Sequence, residues 1–187
     1  MIKRVHTAPA AALLLAAFCA FAQAWARPLP SRDYLTPNEV ELVKEAQVLD
    51  KRIEVFIKAA ERRLMVLTGQ KAPADKKSKK EAELWGDLPT GTRAELINDI
   101  AQILDAAVTN IDDVALRDEK NSLVPKALRK LAEATARLQA QLSPMRSQTK
   151  DEAERAAIGR VEVNAEEILE AAGRLPAEEE RQKAKKQ

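Results

Sequence analysis

Apolar residues recur every three or four positions over most of this chain, which is the period of an amphipathic helix. The first such run places its apolar side chains on one stripe: Leu42, Ala46, Leu49, Ile53, Phe56, Ala60, Leu64 and Leu67. Thr36-Pro37-Asn38-Glu39 supplies a capping box at its start, and Gly69 is a suitable residue just beyond its end. We therefore predict one continuous helix over residues 37–68, about 48 Å long.

Capping signals mark two further helices. Thr92 with Glu95 three residues later forms a second capping box, and the helix that it starts is expected to end in the polar run 117–121. Ser122 is the expected cap of a third helix. We predict that Ser143-Pro144 ends this third helix, because the residue before a proline disfavours helical backbone angles.

A fourth helix completes the pattern. Thr149 with Glu152 is a third capping box, and Gly173 and Pro176 mark the expected end of the helix. No segment has the alternating period of a strand. Residues 36–176 are therefore predicted to form an all-α fold, an elongated up-and-down bundle of about four helices.

The N-terminal segment has the layout of a secretory signal peptide. A short basic start precedes an apolar run at 8–22, and small-x-small patterns end at Ala24 and Ala26. The run is shorter than the roughly 20 residues that span a bilayer. We predict a cleaved signal peptide over 1–26, with cleavage after Ala26 or Ala24, an exported protein that is periplasmic or secreted, and no stable membrane span in the mature chain.

Three segments lack a helical apolar pattern. Residues 27–35 contain Pro28 and Pro30 and are predicted to be an extended leader. Residues 70–83 are predicted to be a Lys-rich connection between the first two helices. Residues 177–187 are predicted to be a charged, disordered tail.

Processing removes the chain's most reactive side chains. The only histidine is His6 and the only cysteine is Cys19, so the predicted mature chain has neither. This excludes a histidine general base, a thiol nucleophile and a thiolate metal site, and it predicts a protein that is not an enzyme and holds no cofactor or metal. Removal of Lys3 and Arg4 from 31 basic residues leaves 29, equal to the 29 acidic ones. Neutral charge and few aromatic residues also predict no nucleic-acid partner.

Two features are candidate contact sites. A basic run in the predicted connection suits an anionic partner, although a solvated linker explains it as well: Lys76, Lys77, Lys79 and Lys80. Trp85 lies in a turn with Leu84 and Leu88 and is a candidate docking aromatic. Arg62 and Arg63 are explained as cations near the negative end of a helix dipole.

Carboxylates are abundant on the first two predicted helices. They comprise Glu41, Glu45, Asp50, Glu54, Asp99, Asp105, Asp112 and Asp113. An inward pair would suit Ca²⁺ or acid–base catalysis, but charges at i,i+4 spacing, as in Asp113 and Arg117, favour a solvated face. Asn164 lies on the apolar stripe of the fourth helix, where it is either a buried register-setting residue or a rim residue.

These patterns predict an exported, non-enzymatic helical bundle of the bacterial cell envelope. We expect it to bind a protein or envelope partner through a helical face, or to form a homo-oligomer. The alternatives are a carboxylate-dependent envelope hydrolase or lyase, and a periplasmic holdase chaperone with a concave, basic-rimmed surface.

Overall fold

The fold is all-α, as the apolar spacing predicts. The computed structural model describes residues 32–70 and 82–176, and these contain no strand. The helices are α1 (Pro37–Glu45), α2 (Leu49–Thr68), α3 (Arg93–Arg117), α4 (Leu123–Gln148) and α5 (Glu152–Gly173), with one further helical turn at 82–85. The described part from Tyr34 onward forms one compact unit. The predicted signal peptide and tail, and most of the predicted leader and connection, lie outside the described residues.

The prediction of one continuous first helix is wrong. The helix breaks at residues 46–48, and α1 and α2 are separate elements. Side chains satisfy the carbonyl groups that the break leaves open: Arg52 Nε donates to the Ala46 carbonyl at 3.0 Å, and Gln47 Nε2 donates to that of Lys44 at 2.6 Å. The break is therefore stabilised by hydrogen bonds from outside the local helix ladder.

The break folds α1 back along α2. In a continuous helix, Glu39 and Arg63 would lie about 36 Å apart. In the structure Arg63 Nη1 donates to Glu39 Oε1 at 2.7 Å, and α2 is the helix that α1 contacts. Glu39 also completes the predicted capping box with Thr36 at the start of α1.

The start of α5 differs from its prediction. Asp151, not Thr149, is the cap, and its Oδ1 accepts from the backbone N–H groups of Ala153 and Glu154. Thr149 instead donates its hydroxyl to Glu154 Oε2 at 3.0 Å. By contrast, the capping box of Thr92 and Glu95 at the start of α3 is confirmed.

The observed cap, Asp151, and the predicted capping box of Thr149 and Glu152 lead to different expected effects of mutation. Replacing an N-cap Asp by Ala removes acceptors for two backbone N–H groups, so Asp151→Ala is expected to lower the free energy of unfolding by about 1 kcal/mol. Glu152→Ala is the control and should change it by less than about 0.5 kcal/mol, because Glu152 is exposed. Urea denaturation measures both free energies. A larger loss in Glu152→Ala would contradict the Asp151 cap and would support the capping box of Thr149 and Glu152.

Helix α4 does not end at Ser143-Pro144 as predicted. It continues through Pro144 to Gln148. The last turn places Met145 against the core and Arg146 in an ion pair with Glu162 on α5. These contacts offset the backbone hydrogen bond that a proline inside a helix cannot make. At the other end, Asn121 Oδ1 accepts from the Leu123 N–H, and the Ser122 side chain makes no capping bond.

Four helices surround the core in the ring order α2, α3, α5, α4, with α1 on the outside of α2. Contacts at the same ends show that α3 and α5 run parallel, since Arg93 on α3 pairs with Glu154 on α5. Helices α2 and α4 are also parallel, since Asp50 pairs with Lys126. This differs from a plain up-and-down ring, in which neighbouring helices are all antiparallel.

The core is aliphatic and alanine-rich. Its fully buried side chains come from α2, α3, α4 and α5, and include Ile53, Leu96, Ile97, Ile100, Ile103, Leu104, Leu131, Leu138, Leu142, Ile158 and Ile168. Among the described helices, none combines the length and the apolar character that crossing a bilayer requires.

Candidate functional site

One concave surface of the described residues is a groove between α4 and α5. It has a volume of about 800 Å³ and is lined by Gln139 and Arg146 of α4 and by Gly159, Glu162, Val163, Glu166, Leu169 and Glu170 of α5. We call this surface the α4–α5 groove. Its walls belong to two long antiparallel helices, so the groove is a fixed feature of the bundle.

Two apolar side chains of the groove face solvent. Val163 is 56% exposed and Leu169 is 36% exposed. Both lie off the stripe of α5 that packs into the bundle, where Ala157, Val161 and Ile168 are buried. Exposed apolar residues that line one concave surface are more informative than ones scattered over the protein.

Gly159 lines the groove without a side chain. It is the one glycine away from a helix end in the described helices, and a Cβ atom built on it would meet only Arg146 Nη2, at 3.9 Å. Glycine inside a helix costs roughly 0.5–1 kcal/mol relative to alanine. Because nothing in the described part of the chain needs the space, the packing of the bundle does not explain this glycine.

The groove is acidic. Three glutamates and one arginine line it, which gives a net charge of −2. Arg146 pairs with Glu162, and Glu170 pairs with Arg174 just beyond α5. Within the described part of the chain, Glu166 has no ion-pair partner. The free carboxylate of Glu166 therefore lies beside the exposed Val163.

The candidate contact residues fall in different places. Lys76, Lys77, Lys79 and Lys80 lie outside the described residues. Trp85 is half-buried and packs against the core, while Leu84 and Leu88 are 56% and 44% exposed. Trp85 thus packs against the bundle, whereas Leu84 and Leu88 remain largely exposed.

Arg62 holds Trp85 and its turn. The Arg62 guanidinium lies 5.4 Å from the centre of the Trp85 ring and donates to the carbonyl groups of Trp85, Gly86 and Asp87. Gly86 has a φ of +65°, and a Cβ there would lie 2.8 Å from the Asn38 side chain. The turn is therefore fixed between α1 and α2 by close packing and hydrogen bonds.

Arg62 and Arg63 are the centre of a buried charge cluster, which a helix-dipole explanation does not predict. The side chains of Glu39, Arg62, Arg63 and Asp99 are all at most 4% exposed. Arg63 donates to Glu39 at 2.7 Å and to the Tyr34 carbonyl at 2.7 Å, and its Nε lies 3.7 Å from Asp99 Oδ2. Two cations and two anions balance, so the cluster joins α1, α2 and α3 without net charge.

A second ion-pair cluster joins α2 to α4. Lys130 Nζ lies 2.7 Å from Asp50 Oδ1 and 2.5 Å from Glu54 Oε1, and Lys126 Nζ lies 3.1 Å from Asp50 Oδ2. The hydrogen bond from Lys130 lowers the pKa of Asp50 and of Glu54. Burial alone would lower the pKa of Lys130, but its bonds to Asp50 and Glu54 outweigh this and raise it.

These shifts predict how stability depends on pH. Lowered carboxyl pKa values add stability above the ordinary values of 3.8 and 4.5, and the raised lysine pKa adds stability below 10.5. Lys130→Met should therefore be less stable than the unchanged chain by about 1 kcal/mol between about pH 5 and 10, because the pairs are partly exposed. The difference should shrink below pH 4, as the carboxylates become protonated, and above pH 11.

Urea denaturation over this pH range measures the difference. Lys51→Met is the control, because Lys51 pairs with the same Glu54 but is 65% exposed. It should change the free energy of unfolding by less than about 0.5 kcal/mol. A constant difference for Lys130→Met at all pH values would contradict the assignment.

The eight predicted carboxylates differ in burial, and Glu54, which is half-buried, belongs to the ion-pair cluster of Lys130. Glu41, Glu45, Asp105, Asp112 and Asp113 are exposed, as a solvated face predicts, and Asp113 pairs with Arg117 at 3.9 Å. Asp50 and Asp99 are buried, and both lie beside cations. Within the described residues, no three acidic, histidine or cysteine side chains are grouped to hold a metal ion.

Asn164 combines features of both expectations for it. Its side chain is half-buried, and its Nδ2 donates to the Ala101 carbonyl on α3 at 2.9 Å. It therefore links two parallel helices near the edge of their interface. The Ala101 carbonyl can accept this bond in addition to the hydrogen bond within its own helix.

Comparisons with known proteins found no relative of this chain. No protein-family model, no curated protein and no solved structure matches the chain. The groove and the charge clusters are therefore the features of this chain that bear on its function.

Proposed function

We propose that this chain is an exported, non-enzymatic helical-bundle protein that binds a helix of a partner protein in the α4–α5 groove. The observation that carries the proposal is the groove itself, where Val163 and Leu169 remain exposed on the helix that also carries Gly159. A groove between two antiparallel helices fits a third helix, because helices pack by laying ridges of side chains into such grooves.

Export is proposed from the sequence. The basic start, the short apolar run and the small-x-small patterns of residues 1–26 support it. N-terminal sequencing of the protein recovered from a periplasmic or culture fraction tests it. A first residue at position 25 or 27 is expected, and an intact Met1 in the cytosol would contradict export.

The buried carboxylates favour structural roles over catalysis. Glu39, Asp50, Asp99 and Glu154 point inward, and each lies beside an arginine or lysine. A carboxylate-dependent hydrolase or lyase requires two carboxyl groups that face one cleft with room for substrate. The holdase alternative requires a basic rim, whereas the rim of the α4–α5 groove is acidic.

Photocrosslinking in the producing cell tests the docking proposal. A photoreactive amino acid replaces Val163 or Leu169 in the full chain, and a third chain carries it at Thr109, which is exposed on α3 away from the groove. We expect one discrete adduct from positions 163 and 169, with the same partner peptide by mass spectrometry, and none from position 109.

Three outcomes would contradict the proposal. The first is the absence of an adduct from both groove positions. The second is the same mixture of adducts from all three positions. The third is an adduct with a second copy of this chain, which would make the groove a self-association surface.

A further inference from the structure

We propose that the occupant of the α4–α5 groove is a single amphipathic helix that carries lysine or arginine beside its apolar face and crosses α5 at Gly159. This inference rests on the proposed function, and it specifies the chemistry of the partner. Three features of the groove support it: the acidic lining, the apolar pair and the glycine.

The negative charge of the groove favours a positively charged partner helix. The groove has a net charge of −2, and Glu166 projects beside Val163 without a cation of its own in the described chain. A helix with basic residues would pair with Glu166, whereas an acidic helix would meet carboxylates of the same sign. Such complementarity steers association and suppresses partners of the wrong charge.

The apolar pair sets the contact face. Val163 and Leu169 lie about 9 Å apart along the axis of α5, at 1.5 Å per residue. At 100° per residue they also lie about 120° apart around the helix, so they flank the strip of α5 that carries Gly159, Glu166 and Glu170, and the apolar face of the docked helix would cover both. Their burial would remove the exposed apolar surface that the bundle leaves uncovered.

Gly159 sets the point of closest approach. The absence of a side chain lets the backbone of a second helix come nearer to α5, as small residues do where helices cross closely. A Cβ at this position would meet only Arg146 Nη2 at 3.9 Å, so the described part of the free bundle has room for it. Gly159→Leu is therefore expected to block the docked helix, and circular dichroism checks that the variant folds.

The test uses two synthetic helical peptides of about 18 residues, long enough to cross the groove. Both carry the same leucines at helical spacing, one with lysines and the other with glutamates on the flanking positions. Fluorescence anisotropy measures their dissociation constants with the purified full chain. We expect the basic peptide to bind at least about tenfold more tightly, with the difference decreasing as salt rises.

Two matched pairs of variants locate the binding. Gly159→Leu should weaken binding of the basic peptide at least about tenfold, and Gly173→Leu, whose Cβ meets nothing within 4 Å, should not. Glu166→Lys should weaken it about threefold to tenfold. Glu167→Lys changes the net charge equally but lies at a different cavity, so it should change the affinity less than about twofold.

The results separate this inference from the proposed function. Equal binding of both peptides, tighter binding of the acidic one, or no binding of either would overturn the basic-helix inference. Unchanged affinity in Gly159→Leu, with folding confirmed by circular dichroism, would also overturn it. In each case a single adduct from Val163 and Leu169 would still support docking of a partner in the groove, and its absence would remove both proposals.

Discussion

Glu39→Gln should lower the free energy of unfolding by about 3–5 kcal/mol. Glu39 is fully buried and is the carboxylate shared by Arg62 and Arg63, at 3.4 and 2.7 Å. The substitution preserves size and removes the negative charge, so the cluster keeps two buried guanidinium groups with Asp99 as its remaining anion. Removing one partner of a buried ion pair is costly because the other charge cannot regain its hydration. Urea denaturation followed by circular dichroism measures the loss.

The control lies on the same helix. Glu41→Gln removes an exposed carboxylate that pairs with Lys44, and it should change the free energy of unfolding by less than about 0.5 kcal/mol. The comparison also tests the fold of α1. If residues 37–68 formed one continuous helix, Glu39 would lie about 36 Å from Arg63, and the two substitutions would have similar effects.

Leu131→Ala should lower the free energy of unfolding by about 3–4 kcal/mol. Leu131 is on α4 and has no exposed surface, so truncation removes buried methyl groups and leaves a cavity in the centre of the bundle. Leu116→Ala is the matched control, because Leu116 at the end of α3 is 85% exposed. It should cost less than about 0.5 kcal/mol. Equal losses of stability for the two leucines would contradict the burial of Leu131 between the helices of the bundle.

Local signals predicted most helix starts correctly. Thr36 with Glu39 and Thr92 with Glu95 form the expected capping boxes, because a capping box depends on four consecutive residues. The box at Thr149 failed because Asp151, two residues later, is an equally good cap and its carboxylate reaches two N–H groups. Competition between adjacent capping residues depends on where the helix packs, which the sequence does not show.

The break at residues 46–48 could not be predicted from periodicity. The apolar stripe runs through it without interruption, and no glycine or proline marks it. The break depends on long-range contacts, above all those of Arg63 with Glu39, 24 residues away. Its signal in the sequence is indirect: two adjacent arginines follow an alanine pair on a helix whose stripe is otherwise apolar.

The groove is only partly visible in the sequence. Gly159 is evidently inside a helical segment, and Val163 and Leu169 lie off its apolar stripe. Whether neighbouring helices cover those positions depends on the ring order of the bundle, since α4 and α3 flank α5 on different sides. Apolar spacing defines which face of a helix is buried but does not define which helices bury it.

The most direct test of the docking surface is the crosslinking yield from position 169 in a Val163→Lys chain. Val163 is 56% exposed, so the variant is expected to fold. An ammonium group in the groove would lose hydration on docking and would repel the basic residues of the docked helix, so we expect the adduct to be lost, while Thr109→Lys on α3 should leave it unchanged. An adduct of undiminished yield from the Val163→Lys chain would contradict partner binding in the α4–α5 groove.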